Sequence, residues 1–260
     1  MKKFLLKNIC DYIKGKHTVL FWSGGYDSTF LYSLFIENKL YNITDLSIVV
    51  IRCPQEIYNE PRIKQTLEFL SGLPVRVYCR EPQESLNSDI EFSKACSVCK
   101  RIRRSAISQI ISEIELNATD GKEIVLLTGH NLDDLASYYL ENVAYSLGEN
   151  AEKYRERFIE SVNKVFPVFD YSDRIKIFRP LTALSTSKML EIFSDNEYSG
   201  LTLCDKKCRW LKQRKRLLQE YLSGINVQMN YDLIVKKFNA EFVMPTMEEF
   251  RSLPVVTYLM

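Results

Sequence analysis

Ser23-Gly24-Gly25-Tyr26-Asp27-Ser28-Thr29 stands between an apolar run, Thr18 to Trp22, and a stretch of helical apolar periodicity. Residue types in this order suit an anion that carries a metal. Two glycines let the main chain approach phosphate with no Cβ in the way, and the N–H groups opening the next helix point at it with the helix dipole behind them. Ser23, Ser28 and Thr29 add hydroxyl donors. Asp27 would repel phosphate unless a cation lies between them, so the turn predicts a nucleotide with Mg2+. A kinase-type or GTPase-type loop would read GxxxxGK[ST] and a dinucleotide loop GxGxxG. Neither pattern is present.

A second polar group, Gly129-His130-Asn131-Leu132-Asp133-Asp134, follows a strand candidate and opens a helix. Its acids suit a metal or the orientation of a base, although a helix N-terminus favours acids for dipole reasons alone. Arg179 in Arg179-Pro180-Leu181 is placed either to reach a phosphate or to stabilise an acid. Ser185, Thr186 and Ser187 follow it as helix-cap candidates. His17 has no such company and reads as an incidental surface residue.

Seven cysteines in a chain with no secretory signal argue against a disulfide framework. Cys10, Cys53 and Cys79 stand alone and read as small buried hydrophobes. The other four form two close pairs, Cys96-x-x-Cys99 and Cys204-x-x-x-Cys208. Cys96-Ser97-Val98-Cys99 is expected to open a helix, where the dipole and the following Lys100, Arg101, Arg103 and Arg104 favour thiolate. Thiolates bind soft metals or carry sulfur. Structural Zn2+ is the usual answer for four sulfur ligands, but 104 residues separate Cys99 from Cys204, far from the compact spacing of a zinc ribbon. An iron–sulfur cluster uses the same ligands and tolerates that separation.

Strand candidates at Thr18 to Trp22, Leu46 to Cys53, Pro74 to Cys79, Glu123 to Thr128 and Arg174 to Phe178 must position these groups, with helical stretches between them. Helices are expected over Ser28 to Asn38, Pro61 to Leu70, Cys99 to Glu115, Leu132 to Leu147, Ala151 to Val165 and Ser187 to Asp195. Such alternation predicts an α/β fold with a parallel sheet, whose ligands bind beyond the carboxyl ends of the strands. The turn at Ser23 and the group at Gly129 then share one edge. After a basic helix to about Tyr221, residues 223–260 lose that rhythm and read as a C-terminal helical appendage.

At 260 residues, 46% hydrophobic and 26% charged, the chain can bury a large core. Its N-terminal apolar stretch is broken by Lys7, Asp11 and Lys14, so neither a membrane span nor a signal peptide is expected and a cytoplasmic location follows. The net charge of +2 is too small to announce a nucleic-acid binder, yet seven cations fall within 206–216 and four within 100–104 with no acid in either run. Local phosphate-facing surfaces are favoured over plain solvated helix faces.

SGGYDST resembles the SGGxDS signature of the PP-loop ATP pyrophosphatases, which cleave ATP between the α and β phosphates and leave AMP on a substrate oxygen. The full series of that turn, Cys96-x-x-Cys99-x-x-x-Arg103-Arg104, the group at Gly129 to Asp134, Arg179-Pro180-Leu181 and a second cysteine pair is similar, over residues 18 to about 216, to the tRNA 2-thiolation enzymes of the 2-thiocytidine synthetase group. The resemblance implies a Rossmann-like, adenine nucleotide alpha hydrolase-like domain over 1–222. It implies ATP and Mg2+, a tRNA substrate, and sulfur from a donor protein or inorganic sulfide. Ser23, Gly24, Gly25, Ser28 and Thr29 would grip the pyrophosphate end, with Gly129 and His130 completing the ATP site. Asp27 would act through Mg2+, Arg103 or Arg104 would steady the α-phosphate, and Asp133 and Asp134 would serve catalysis. Three cysteines would hold a [4Fe-4S] cluster, namely Cys96, Cys99 and either Cys204 or Cys208. The second pair commonly encloses two residues where this chain has three, which leaves Zn2+ or a persulfide-bearing cysteine open. An alternative reading is adenylation of a small metabolite for thiolation or amidation, with the cysteines on zinc. The oligomeric state is left open, a homodimer included.

Overall fold

Six strands with apolar residues on both faces force helices onto both sides of one sheet. The structure, a computed structural model, describes residues 2–82, 92–118, 120–148, 151–193, 202–203, 221 and 229–259. Cys204, Cys208 and the basic run 206–216 lie outside these residues. Along the chain come α1 (Lys2–Ile13), β1 (His17–Phe21), α2 (Tyr26–Glu37), β2 (Asp45–Ile51), α3 (Glu60–Ser71), β3 (Arg76–Arg80), α4 (Phe92–Asn117) and β4 (Ile124–Leu127). Next are α5 (Leu132–Ser146), α6 (Ala151–Val162), β5 (Val168–Asp170), β6 (Ile175–Phe178), α7 (Thr186–Phe193), α8 (Tyr231–Glu241) and α9 (Met247–Arg251).

The sheet order is β3-β2-β1-β4-β6-β5, parallel throughout except for β5, which pairs antiparallel with β6 at the edge. Strand order therefore reverses between β1 and β4, and the crevice beyond their carboxyl ends is where such sheets bind ligands. Alternate residues divide the core. Leu20, Ile48, Val50, Val125 and Leu127 pack towards α1, α2, α3 and α7. Val19, Val49, Ile51, Leu126 and Ile177 face α4, α5, α6 and the C-terminal segment. Phe238, Phe250 and Tyr258 are buried in that second layer, so α8, α9 and the final turn pack directly on the domain core.

All five expected strands and six expected helices form; most ends shift by up to three residues, α4 begins seven residues before the expected Cys99, and the expected end of the last helix at Asp195 lies outside the described residues. Two elements were not expected. Leu5, Ile9 and Ile13 recur every four residues and seat α1 on the core, while Lys7 and Asp11 occupy its exposed face. β5 is three residues long, too short for an alternating pattern to emerge. Among the described residues no helix is long and apolar enough to cross a membrane.

His17 is corrected from a surface residue to a buried one. Its Nδ1 lies 2.7 Å from Asp45 and its Nε2 2.9 Å from Asp120, so the ring ties β1 to the starts of β2 and β4. That end of the sheet is the one opposite Ser23.

Candidate ATP site and cysteine centre

β1 ends at Phe21 and the chain turns through Ser23 to Gly25 into α2, with Gly24 at φ +83°, a conformation open to glycine at no steric cost. Gly25 is the N-cap and offers no side chain to compete for the first-turn N–H groups. Ser28 folds back over the turn: its Oγ accepts from Ser23 N (3.1 Å), lies 2.9 Å from Ser23 Oγ and donates to Gly25 O (3.2 Å). From outside the motif, the Tyr58 hydroxyl reaches Ser23 O (3.0 Å) and Ile51 O (2.8 Å), locking the turn to the end of β2.

The loop after β4 presses against that turn. A Cβ on Gly129 would stand 2.9 Å from Ser28 N and 3.0 Å from Asp27 C, so only glycine permits this approach. His130 Nδ1 lies 2.8 Å from Thr128 Oγ1, and Asn131 and Asp134 form a capping box at the start of α5. Between the two loops opens a cavity of about 250 Å3, bordered by Ser23, Asp27, Ser28, Gly129, His130 and Asp134. Phe21, Trp22, Val49 and Ile51 supply an apolar wall, and Arg103, Ile107, Tyr138 and Leu259 close it from α4, α5 and the C-terminal turn. The Nε of Arg103 is buried and has no hydrogen-bond partner among the described residues. The first turn of α2, the hydroxyls of Ser23 and Ser28, the acid Asp27 and the Arg103 side chain border one space. That set fits a polyphosphate with a divalent cation.

Solved structures carry the same architecture. The U34-tRNA thiolase NcsA from Methanococcus maripaludis with its [4Fe-4S] cluster is similar with a TM-score of 0.62 and 17% identity, over 92% of this chain and 79% of the thiolase. The chain shares the fold of that thiolase, a mostly parallel sheet flanked by helices. NMN synthetase from Francisella tularensis (TM-score 0.47, 14% identity, 98% of this chain and 95% of the synthetase) is more distant. So is NH3-dependent NAD synthetase from Campylobacter jejuni subsp. jejuni NCTC 11168 (0.45, 15%, 96% and 95%). No protein-family model and no curated protein matches the sequence.

Within this fold the predicted site residues divide into those that face the cavity and those that build it. Thr29 is fully buried, and its Oγ1 accepts from Trp22 Nε1 (2.9 Å), so it anchors the indole that stacks on Tyr32 at 3.8 Å. Asp133 is buried too. Its Oδ2 accepts from Thr186 N (2.9 Å), which holds the start of α7 against α5. Ser185 caps α7, accepting from Lys188 N (3.3 Å). Arg179 does not border the cavity and pairs with no acid among the described residues. Fully buried, it donates to Asn163 O, Asn163 Oδ1, Phe166 O and Tyr258 O at 2.6 to 3.2 Å and staples the C-terminal turn to the sheet. Burial pulls its pKa down to about 9.

The cysteines require two corrections. Cys96-x-x-Cys99 does not open a helix: α4 begins at Phe92, which puts the pair in its second and third turns, beyond the first-turn N–H groups. Cys53 does not stand alone, because its buried Sγ lies 3.7 Å from Cys99 Sγ. Cys99 and Arg103 are four residues apart on one face of α4, so the thiols sit one helical turn from the cavity wall.

Of the residues that sequence reasoning missed, Tyr138 had a signal, since it follows the predicted Asp134 by one turn on the same face of α5. Burial, then Asp134 and Glu141, hold its hydroxyl above the usual tyrosine range. Leu259 and Tyr58 had none, being brought in by tertiary packing.

Proposed function

We propose that this chain is an ATP-dependent tRNA sulfurtransferase that adenylates a nucleobase carbonyl and replaces its oxygen with sulfur. One observation carries the reading: α4 contributes Arg103 to the wall of the ATP cavity and, one turn away, a thiol of Cys99 in contact with another thiol. Activation of an oxygen and delivery of sulfur must occur at one carbon, and this helix brings the groups for both within reach of each other.

The first-turn N–H groups of α2 and the hydroxyls of Ser23 and Ser28 hold the pyrophosphate end of ATP, with Asp27 as the seat for Mg2+. Arg103 offsets the charge that grows on the α-phosphate as the base oxygen attacks. Asp134 and His130 border the cavity on the opposite side, and the apolar wall of Val49, Ile51 and Leu259 keeps water from the activated intermediate. Soft sulfur donors at this spacing fit a thiophilic metal; a [4Fe-4S] cluster on Cys96, Cys99 and one of Cys204 and Cys208 would supply an iron that carries the incoming sulfur. A reduced, cytoplasmic setting belongs to the same reading.

The test is anaerobic purification with iron, sulfide and zinc measured in one sample, followed by incubation with unmodified tRNA, ATP, Mg2+ and sulfide. AMP formation that depends on tRNA, with a thiolated nucleoside in the digested tRNA, is the expected result. AMP formation driven by a small metabolite would replace tRNA as the acceptor, and stoichiometric zinc without iron would remove the cluster.

A further inference from the structure

A second cavity, about 480 Å3, opens between α4, α5 and α6. Its position is its most informative property. Tyr138 is a wall of both this cavity and the ATP cavity, and Ser97, which lies between Cys96 and Cys99, lines its other side. A group held here would touch the partition from the ATP cavity and the cysteine-bearing turn of α4 together. Its volume suits a nucleotide.

The lining suits one chemically. Tyr138 and Tyr145 offer aromatic rings, Arg157 offers a cation, and Lys100 stands on the wall in an ion pair with Glu160 (2.9 Å). Arg157 already lies over the Tyr145 ring, 4.6 Å from its centroid. Rings with adjacent cations are what a nucleotide removed from its stack needs, since enzymes that act on a base must extrude it into a pocket. The deepest group is Lys164, 4% exposed, whose Nζ donates to the Tyr138 hydroxyl at 3.2 Å and lies 4.6 Å from that ring's centroid.

We propose, building on the sulfurtransferase reading, that this cavity receives the acceptor base and that the Tyr138–Lys164 pair takes up its ring proton as the carbonyl oxygen attacks ATP. In a lactam base such as uracil the ring N–H bond breaks, its electrons form a ring C=N bond, and the carbonyl π electrons form the new O–P bond. The bond from the α-phosphorus to pyrophosphate breaks, and pyrophosphate leaves with that pair. With Lys164 as the neutral amine, its lone pair turned to the Tyr138 O–H in place of the N–H that now donates, the base proton passes to the Tyr138 oxygen while the tyrosine's own proton moves to Lys164 Nζ, so tyrosine is unchanged and the amine becomes ammonium. Charge favours this direction. Burial first, then Lys100 and Arg179, bring the Lys164 pKa down to about 7, against the opposite pull of Asp134 and Glu160. Glu141 and Glu156 are the further charged groups on the cavity wall. A base without a ring N–H beside the carbonyl would not need the pair, which directs the site to uridine-type acceptors over cytidine-type ones.

Two measurements test this. With α,β-methylene-ATP bound, uridine 5′-monophosphate is titrated into wild-type protein and into Tyr145→Ala and Arg157→Ala by calorimetry. Binding to wild type with a loss of about tenfold in each variant is expected; absent or undiminished binding overturns the pocket. In tRNA-dependent AMP formation, Lys164→Met and the milder Tyr138→Phe should each lower kcat by about 100-fold, with ATP affinity kept in Lys164→Met. The wild-type rise in kcat through about pH 7 should vanish in Lys164→Met. A limb that stays in place overturns the proton role. Wild-type protein that forms no AMP with tRNA sinks the sulfurtransferase reading instead, and the nucleotide titration still decides the cavity.

Discussion

Gly129→Ala puts the junction of the two ATP-site loops to a direct test. Its Cβ would lie 2.9 Å from Ser28 N, 3.0 Å from Asp27 C and 3.2 Å from Ser28 Cα, all main-chain atoms that cannot rotate away. Ordinary contact is about 3.5–4.0 Å, so the loops must part by roughly 0.6 Å. Overpacking of this kind costs about 1–3 kcal/mol. At about 2–4 °C per kcal/mol for a chain of this size, Tm should fall by roughly 2–12 °C. The same shift swings the first turn of α2 away from the β4 loop, and ATP affinity should fall about tenfold, equivalent to about 1.4 kcal/mol. Calorimetric ATP titration and thermal unfolding measure both. Gly72→Ala is the control, because its Cβ would meet only Phe69 O at an ordinary 3.5 Å. Its effect should stay within about 0.5 kcal/mol. Unchanged Tm and ATP affinity in Gly129→Ala would refute the contact between the loops.

Arg179→Met removes the donor to four acceptors in a buried setting, and the loss should be at least about 3 kcal/mol in urea unfolding. Limited proteolysis should then cut near Tyr258, as the staple on the C-terminal turn is gone. Thr29→Val leaves the Trp22 indole N–H without its acceptor and should cost about 1–3 kcal/mol, with tryptophan fluorescence shifted on the folded protein. Asp120 has its carboxyl held well below the usual range by Lys122 and then by His17. A depressed folded pKa stabilises above the unfolded value of about 3.9 and loses that contribution as pH falls through the folded value. Wild-type stability should therefore drop as pH is lowered below about 4, and Asp120→Asn should flatten that slope in unfolding curves taken at stepped pH.

What the sequence revealed follows the range of the interactions involved. The β1 turn into α2 was legible because its chemistry is local: glycines, hydroxyls and a helix start act within seven residues. Parallel order was legible from strand–helix alternation, and the shared edge of Ser23 and Gly129 followed from the rule for where such sheets bind ligands. Thr29 and Asp133 were assigned to ligand although they serve packing. Residue type alone cannot separate an oxygen that faces a cavity from one turned inward to Trp22 Nε1 or Thr186 N. Arg179 failed in the same way, since main-chain carbonyls gathered from residues 163, 166 and 258 leave no mark in the sequence.

The cysteines show how the missing part of the site arises. A paired spacing marks two thiols that one helix can aim together, so Cys96 and Cys99 stood out, while an isolated Cys53 carried no pattern. It meets Cys99 because β2 ends at the sheet edge over which α4 runs, with Ile102 and Ile107 of that helix buried in the layer that holds Ile51. The packing that seats α4 on this layer also fixes where Arg103 enters the ATP cavity. The Cys53–Cys99 contact and the Arg103 wall of the cavity are thus set by one helix docked on one core, and under the proposed function any substitution that slides α4 along the sheet should disturb metal content and ATP affinity together.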